Sequence, residues 1–508
     1  MLDAEAGPGR PLAAALDLFR SLAAAEIPYC HWKSNEHLAA GLVGETDLDV
    51  LTGRSAALRV AELLADRGFK RIVAVPERAY PGVEDYLGFD CDTGRLLHLH
   101  LHHQLVLGEK SLKGYRLPWE QLALETRRLD PESGVYLIDP ALELLVLAVR
   151  LALKVRSRDL VAARLGSPNP GGGALRELRW LAERLDGSRI LQVATPLVGE
   201  PAARRLAGLT RVTPTAHQLL EFGQAAEPGL EEYRTYPAAQ ARHARWTREW
   251  RNRMGKAARR RGALRPVRHT LPQGGVLIAV VGSDGSGKST VTREMARWLS
   301  WKLDVALLYF GSGAGPASLL RRPLLWAKAL RRGRGPGQSR SRPSSPGLRQ
   351  GEVAPGGGLR AVQGAWWAWS IATEKRARLA EARRARNLGM VVIGDRYPQS
   401  QIMGFTDGPR LRRWAEHRSR LLRGLAAREL EVYRAADAAA PDLVIKLQVS
   451  PEVAAQRRPG SAVAGLSRRV DAVRQLRFPS ATRVVEIDAT QPLDRVLLEA
   501  KQAVWASL

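Results

Sequence analysis

Cysteine is almost missing from this chain of 508 residues: Cys30 and Cys91 are the only two, too few for a disulfide framework. Apolar packing must therefore hold the fold, and a reducing compartment, the cytoplasm, is expected. Long hydrophobic runs are lacking as well. The best candidate, Ala141 to Ala152, is broken by Glu143 and Arg150 and falls short of the roughly 18 apolar residues of a membrane span. It reads as a core helix, and no transmembrane segment is expected. The opening text, MLDAEAGPGR, is acidic before it is basic and has no apolar run of signal-peptide type. Aromatic residues make up only 6% of the chain, yet an apolar fraction of 45% is ample for packed cores and excludes a wholly disordered polypeptide. The length suggests about three domains at roughly 150 residues each.

Lysine is scarce in a chain that is otherwise strongly basic. Of 78 Lys plus Arg, set against 51 Asp plus Glu for a net charge of +27, only 12 are Lys. With abundant Ala and Gly, this arginine excess fits a GC-rich coding bias as well as a binding surface. Part of it clusters: eleven Lys or Arg lie between Arg242 and Arg268, with Trp246 and Trp250 interleaved. Such a stretch could meet the phosphates of a nucleic acid, an anionic membrane surface or the acidic face of another domain.

Composition divides the chain into three parts. Residues 1–130 alternate helical text such as LAAALDLFRSLAAA with the strand-like TDLDVL and RLLHLHLH, which predicts an α+β domain. Residues 131–272 read as a helical connector, interrupted by SPNPGGG at 167–173 and ending in the basic stretch. Residues 273–508 open on the apolar run VLIAVV and read as an α/β domain, a parallel sheet flanked by helices. Within them, 331–358 has almost no apolar residues and is rich in Gly, Pro, Ser and Arg, so a disordered insertion is expected there.

The strongest chemical signal is Gly282-Ser283-Asp284-Gly285-Ser286-Gly287-Lys288-Ser289-Thr290, between the strand VLIAVV and a helix predicted from Thr290 to Ser300. Glycines let backbone approach a phosphate chain closely, and the following helix presents its positive end to it. Lys288 is then placed to reach the β and γ phosphates of ATP, and the Ser289 hydroxyl to sit on Mg2+. Downstream, MVVIGDRYPQS sets Asp395, Arg396 and Tyr397 at the end of a buried strand, the edge where a parallel sheet faces its ligands. An acid there can organise the Mg2+ shell, and an arginine can clamp a second phosphate bidentately.

GSDGSGKST, DRY, PDLVIKLQVSPEVAAQRR and IDATQPLDRV, in that order, resemble thymidylate kinase and its nucleoside-monophosphate kinase relatives over about 275–508. The resemblance implies a P-loop kinase using ATP and Mg2+. It assigns Asp284 and Arg396 to the acceptor, Lys288 and Asp395 to the reacting phosphates, and lid arginines, here Arg457, Arg458, Arg468 or Arg469, to the transferring group. Two features depart from the family. Its Arg-Glu-Pro-Gly loop is replaced by YFGSGAGPASLLRRP, and the arginine expected 21 residues before Asp395 falls on Glu374, which leaves Arg376 as the substitute for binding the acceptor. The WWAW cluster, Trp366, Trp367 and Trp369, has no counterpart in the family pattern.

The N-terminal part carries a second signature. Lys33-Ser34 followed by Thr46-Asp47-Leu48-Asp49-Val50 resembles the nucleotidyltransferase pattern of a Gly-Ser turn and two carboxylates flanking one apolar residue. On a strand, positions 47 and 49 share a face, so two carboxylates can share a metal. The family's third carboxylate is not evident. Instead His98, His100 and His102 alternate with Leu, which places three imidazoles on one strand face beside either a metal or one another. Cys30 and His31 read as core and turn residues.

Together these signs predict ATP-dependent phosphoryl transfer to a phosphorylated acceptor, such as dTMP, with a nucleotidyltransferase-like module that is active or degenerate. The alternatives are a kinase of a non-nucleotide metabolite, as in surface-polysaccharide synthesis, and a nucleotide-dependent regulator or nucleic-acid-binding protein. Nucleotide substrates are the expected partners, a homodimer stays open, and Arg242 to Arg268 is the segment that would meet nucleic acid.

Overall fold

A computed structural model describes residues 9–108, 111–155, 172–211, 214–311, 359–403, 407–457 and 463–508. Arg458, the 331–358 insertion and most of SPNPGGG lie outside the described residues. The chain divides into two compact units: Met1–Arg261 with Val267–His269, and Gly262–Pro266 with Thr270–Leu508. No described helix is long and apolar enough to cross a membrane.

In the first unit, short apolar or alternating runs bounded by Gly, Asp or Pro form the strands. They are β1 (Tyr29–His31), β2 (Leu48–Thr52), β3 (Lys70–Ala74), β4 (Val83–Phe89), β5 (Leu96–His102), β6 (Leu105–Leu107), β7 (Tyr115–Leu117), β8 (Arg128–Leu129), β9 (Tyr136–Leu137) and β10 (His269–Thr270). A mixed sheet runs β10-β3-β4-β5-β2-β1-β9-β8, and β6 and β7 make a separate ribbon. Strand β2 lies parallel to β5, and β4 antiparallel to it. The period of two sends Leu97, Leu99 and Leu101 of β5, with Leu48 and Val50 of β2, into a core closed by the helices Ala13–Ala24 and Ala57–Asp66. The intervening residues Asp49, His98, His100 and His102 fall on the opposite face.

The helical stretch that composition set apart at 131–272 shares a core with the strands. Cys30, Trp32 and Leu51 pack with Leu142, Leu145, Leu178, Leu206 and Phe222. Composition could not show this, because the Leu-rich helices bury their apolar faces against residues more than a hundred positions away. Ala141 to Ala152 lies in the helix Pro140–Ala152, whose start is capped by the Asp139 side chain, 2.9 Å from the Ala141 amide. Its break at Glu143 is internal: that carboxylate is buried and accepts from the Asn35 amide at 3.0 Å and Asn35 Nδ2 at 2.7 Å.

The second unit is built on five strands, β11 (Leu277–Gly282), β12 (Val305–Tyr309), β13 (Val391–Asp395), β14 (Leu443–Gln448) and β15 (Arg483–Asp488). Their order is β12-β13-β11-β14-β15, and every pairing is parallel. The inner strands β11 and β13, buried along their length, read as the apolar runs VLIAVV and MVVIGD, whereas the edge strand β15 is largely exposed. The helices Lys288–Leu299 and Leu359–Asn387 pack on this sheet. Ala365 and Ala368 of the WWAW helix meet Leu411, Trp414 and Ala426, while Trp366 stays exposed.

Candidate functional site

The central strand β11 ends at Gly282, and the loop that follows turns on Gly285 and Gly287, both in the left-handed region at φ +87 and +86. A Cβ on Gly285 would fall 2.8 Å from the Ala454 carbonyl oxygen, so only glycine closes this turn without strain. The helix begins at Lys288, two residues before the position read from sequence. The buried Lys288 Nζ donates to the Ser283 carbonyl at 2.5 Å. Burial, followed by the nearby Arg396 guanidinium, lowers Lys288 to about 8. Ser289 Oγ donates to Asp395 Oδ2 at 2.7 Å, across from the next strand. Asp395 Oδ1, Ser283 Oγ and Ser286 Oγ are buried without a hydrogen-bond partner. Orphaned oxygens around a glycine cradle fit a site that takes phosphate and a hard cation.

Beside this loop runs a chain of alternating charge. Arg396 Nη2 pairs with Asp284 Oδ1 at 2.9 Å, and Arg396 Nη1 with Asp407 Oδ2 at 3.3 Å. Arg469 Nη1 meets Asp284 Oδ2 at 2.5 Å, and Lys375 Nζ donates to the Asp407 carbonyl at 2.8 Å. Burial alone would raise the Asp284 carboxyl, but Arg396, Lys288 and Arg469 outweigh it and hold it below its usual range. Arg396 itself sits at φ +73, a conformation that costs a non-glycine residue about 1 kcal/mol or more. That turn off the end of β13 carries its guanidinium back to the P-loop. A crevice too narrow to admit a water molecule lies alongside, lined by Tyr309, Phe310, Gly311, Ile371, Glu374, Lys375 and Arg378. Gly311 comes so close to Arg396 that a Cβ there would fall 2.7 Å from Arg396 Cδ.

Not every residue expected here is brought in. Arg376 is exposed on the Leu359–Asn387 helix, because the helical repeat turns Lys375, not Arg376, to the buried side. Arg457 is spent on the Ala489 carbonyl at 2.8 Å, and Arg468 is exposed. Of the four lid candidates, Arg469 is the one that reaches Asp284 among the described residues. Asp407 was missed altogether: it stands in the turn text TDGP, where an Asp reads as a turn former.

The first unit assembles a different cluster. Register alone sets Asp49, His100 and Asp85 in one row across β2, β5 and β4. Asp47 precedes β2 rather than lying on it, yet its Oδ1 is 2.9 Å from His98 Nδ1. His100 Nδ1 is 3.1 Å from Asp49 Oδ1, and His102 Nε2 is 3.4 Å from the same oxygen. Asp85 faces His98 Nε2 at 3.3 Å, His100 Nε2 at 3.1 Å and His269 Nε2 at 3.5 Å. A third carboxylate is therefore present, contrary to the sequence reading, and stands on β4 inside the unremarkable text VEDYLGF. Its one signal was alternation: position 85 falls on the face opposite Tyr86. Burial pushes the His100 imidazole down, but Asp49 and Asp85 reverse this and raise it to about 9. Burial lowers His102 to about 3, although Asp49 opposes it.

Lys33 Nζ joins the cluster 2.9 Å from Asp49 Oδ1. Ser34 takes the left-handed conformation, φ 58, at the place of the Gly-Ser turn, and its amide donates to Glu177 Oε1 at 3.0 Å. Cys30 and His31 both lie on β1, so His31 is a strand residue rather than a turn residue. Both are buried, and burial raises the Cys30 thiol to about 12, which removes it as a nucleophile. Trp246 and Trp250 are exposed on the helix Ala238–Arg260, where Arg248 is held by the carbonyls of Pro76 and Ala79.

No family model matches the chain. It is 28% identical over 234 residues to the uncharacterized ATP-binding protein YghR of Escherichia coli strain K12, a match covering 45% of this chain and 86% of that protein. It is also 28% identical over 239 residues to the uncharacterized ATP-binding protein YghS of the same strain, covering 46% of this chain and 93% of that protein.

Proposed function

We propose that the second unit binds ATP at residues 282–290 and moves its γ-phosphoryl group to a phosphorylated small molecule, with a nucleoside monophosphate such as dTMP as the acceptor class. One observation carries this reading. The chain Lys375, Asp407, Arg396, Asp284, Arg469 holds three cationic side chains on two carboxylates directly beside the P-loop lysine. A switch that only binds nucleotide needs no such second set; a second anionic substrate does. The names of YghR and YghS support the ATP half.

The geometry supports a division of labour. Lys288, released from the Ser283 carbonyl, meets the phosphate chain that Gly285 and Gly287 admit. Mg2+, when bound, neutralises charge on the phosphates, and Ser289 and Asp395 are the residues to hold it. Arg396 exchanges a carboxylate for the acceptor phosphate, which it can grip bidentately. Arg469 faces charge that develops on the group in transit.

The test is turnover by the purified full chain with ATP, Mg2+ and a panel of nucleoside monophosphates and sugar phosphates. Transfer to a nucleoside monophosphate above a Lys288→Ala control supports the reading. Turnover confined to a sugar phosphate moves the acceptor to a non-nucleotide metabolite. No acceptor above that control, with nucleic acid bound in a steeply salt-dependent way, replaces the kinase by a regulator.

A further inference from the structure

We infer that the first unit holds one divalent first-row transition ion, ligated by Asp85 and by the Nε2 atoms of His98 and His269, with Asp47, Asp49 and His100 outside the ligand set. Three features of the cluster carry this.

The first is spacing. Two donor atoms that each stand about 2.1 Å from one ion lie about 3.0 to 3.4 Å from each other. The Nε2 atoms of His98 and His269 stand 3.3 and 3.5 Å from the nearest Asp85 oxygen. Asp85, His98 and His269 bring ligand atoms within 4.8 Å of one another.

The second is orientation. His98 Nδ1 meets Asp47 at 2.9 Å, so a carboxylate fixes the proton of that ring on Nδ1 and turns its Nε2 toward Asp85, whereas His100 donates from Nδ1 to Asp49 and from Nε2 to Asp85, at 3.1 Å each. Carboxylate, imidazole and ion in line is the arrangement by which proteins aim histidine ligands. The same contacts turn Asp47 and Asp49 away from the two-carboxylate role that their spacing suggests. Lys33 adds to this: an ammonium 2.9 Å from Asp49 Oδ1 already neutralises the carboxylate that would otherwise receive a cation.

The third is donor chemistry. Two imidazoles and one carboxylate suit zinc, cobalt, iron or manganese, whereas magnesium prefers an all-oxygen shell. His98 is 1% exposed and backed by leucines, so the site is rigid rather than a loose surface group. His102 is set apart: its Nε2 faces Asp49, and its ring stands edge-on to Trp32 at 4.9 Å.

The probe is Co2+ on the full chain after chelation and dialysis, read by calorimetry and by visible absorption. One equivalent should bind with bands of imidazole-carboxylate coordination, Zn2+ should displace it, and a hundredfold excess of Mg2+ should not. Asp85→Asn and His269→Gln should each weaken it by well over tenfold, Asp47→Asn by about 10- to 100-fold through loss of ring orientation, and His102→Gln hardly at all. The site should persist in Asp395→Asn, which excludes the P-loop cation. No Co2+ bound by the wild-type chain, displacement by Mg2+, or equal affinity in Asp85→Asn and His269→Gln would each overturn the assignment. Because the wild-type measurement alone can fail, a variant that does not fold leaves the inference falsifiable.

Discussion

The two units handle charge in opposite ways. In the second, the candidate phosphate-binding residues come mainly from one contiguous loop, 282–290, backed by Asp395 and Arg396 at the end of β13. In the first, Asp47, Asp85, His98, His100 and His269 come from separate segments and meet through strand register. A contiguous loop writes its geometry into its own glycines. An assembled cluster writes only alternation into each strand and leaves the pairing to topology. The comparison explains why one site is visible in the chain and the other only half so.

The largest expected effect tests the contiguous site. Lys288→Ala should lower phosphoryl transfer about a thousandfold, equal to roughly 4 kcal/mol of lost transition-state stabilisation, with the melting temperature unchanged or higher because a buried ammonium is removed. Rapid-quench kinetics beside a thermal melt will check this, and transfer within tenfold of wild type would remove the lysine from the mechanism.

Next comes a contrast between neighbours on one helix. Lys375→Met removes one of the cations that face the buried Asp407 carboxylate and leaves it to Arg396 and Arg410, so unfolding by urea should show a loss of about 3 kcal/mol. Arg376→Ala, exposed on the other side, should stay within about 0.5 kcal/mol. Equal losses would mean that the helix is rotated from the orientation described.

In the first unit, Glu143→Ala leaves the Asn35 amide and side chain without their acceptor, at a cost of about 1 to 3 kcal/mol. The same urea measurement reads it. A neutral result would show that the brace between the β1 turn and the helical stretch does not matter for stability.

The smallest expected effect is on pH. Lys288 is lowered to about 8, by burial first and then by Arg396. Phosphate requires its charged form, so ATP affinity should be flat below about 8 and fall above it, by at most tenfold per pH unit. Binding above that pH should take up a proton, measurable by calorimetry in two buffers of different ionisation enthalpy. Lys288→Arg should flatten the profile.

Much of the second unit was legible because its inner strands β11 and β13 are buried apolar runs and its loop is a run of glycines before Lys288. Asp407 and Lys375 were not, since a turn Asp and a helical Lys look like solvated residues until the fold buries them. In the first unit, the period of two in LHLHLH announced the shared face of His98, His100 and His102. It could not say that β4 would bring Asp85 into register with His100, or that His269, more than 160 positions on, would close the cluster. The helical stretch was legible as helix but not as part of the first unit's core, because nothing local marks Leu142 and Phe222 as neighbours of Cys30 and Trp32.

The account rests most heavily on Arg396 as the grip on a second phosphate. The direct measurement follows γ-labelled ATP through a single turnover with the accepted substrate, in wild-type chain and in Arg396→Ala, with ATP affinity measured alongside. The account predicts that label passes to the acceptor, that transfer falls at least a hundredfold in the variant, and that ATP binds both proteins within about twofold. Label appearing as inorganic phosphate, or transfer unchanged in Arg396→Ala, would contradict it.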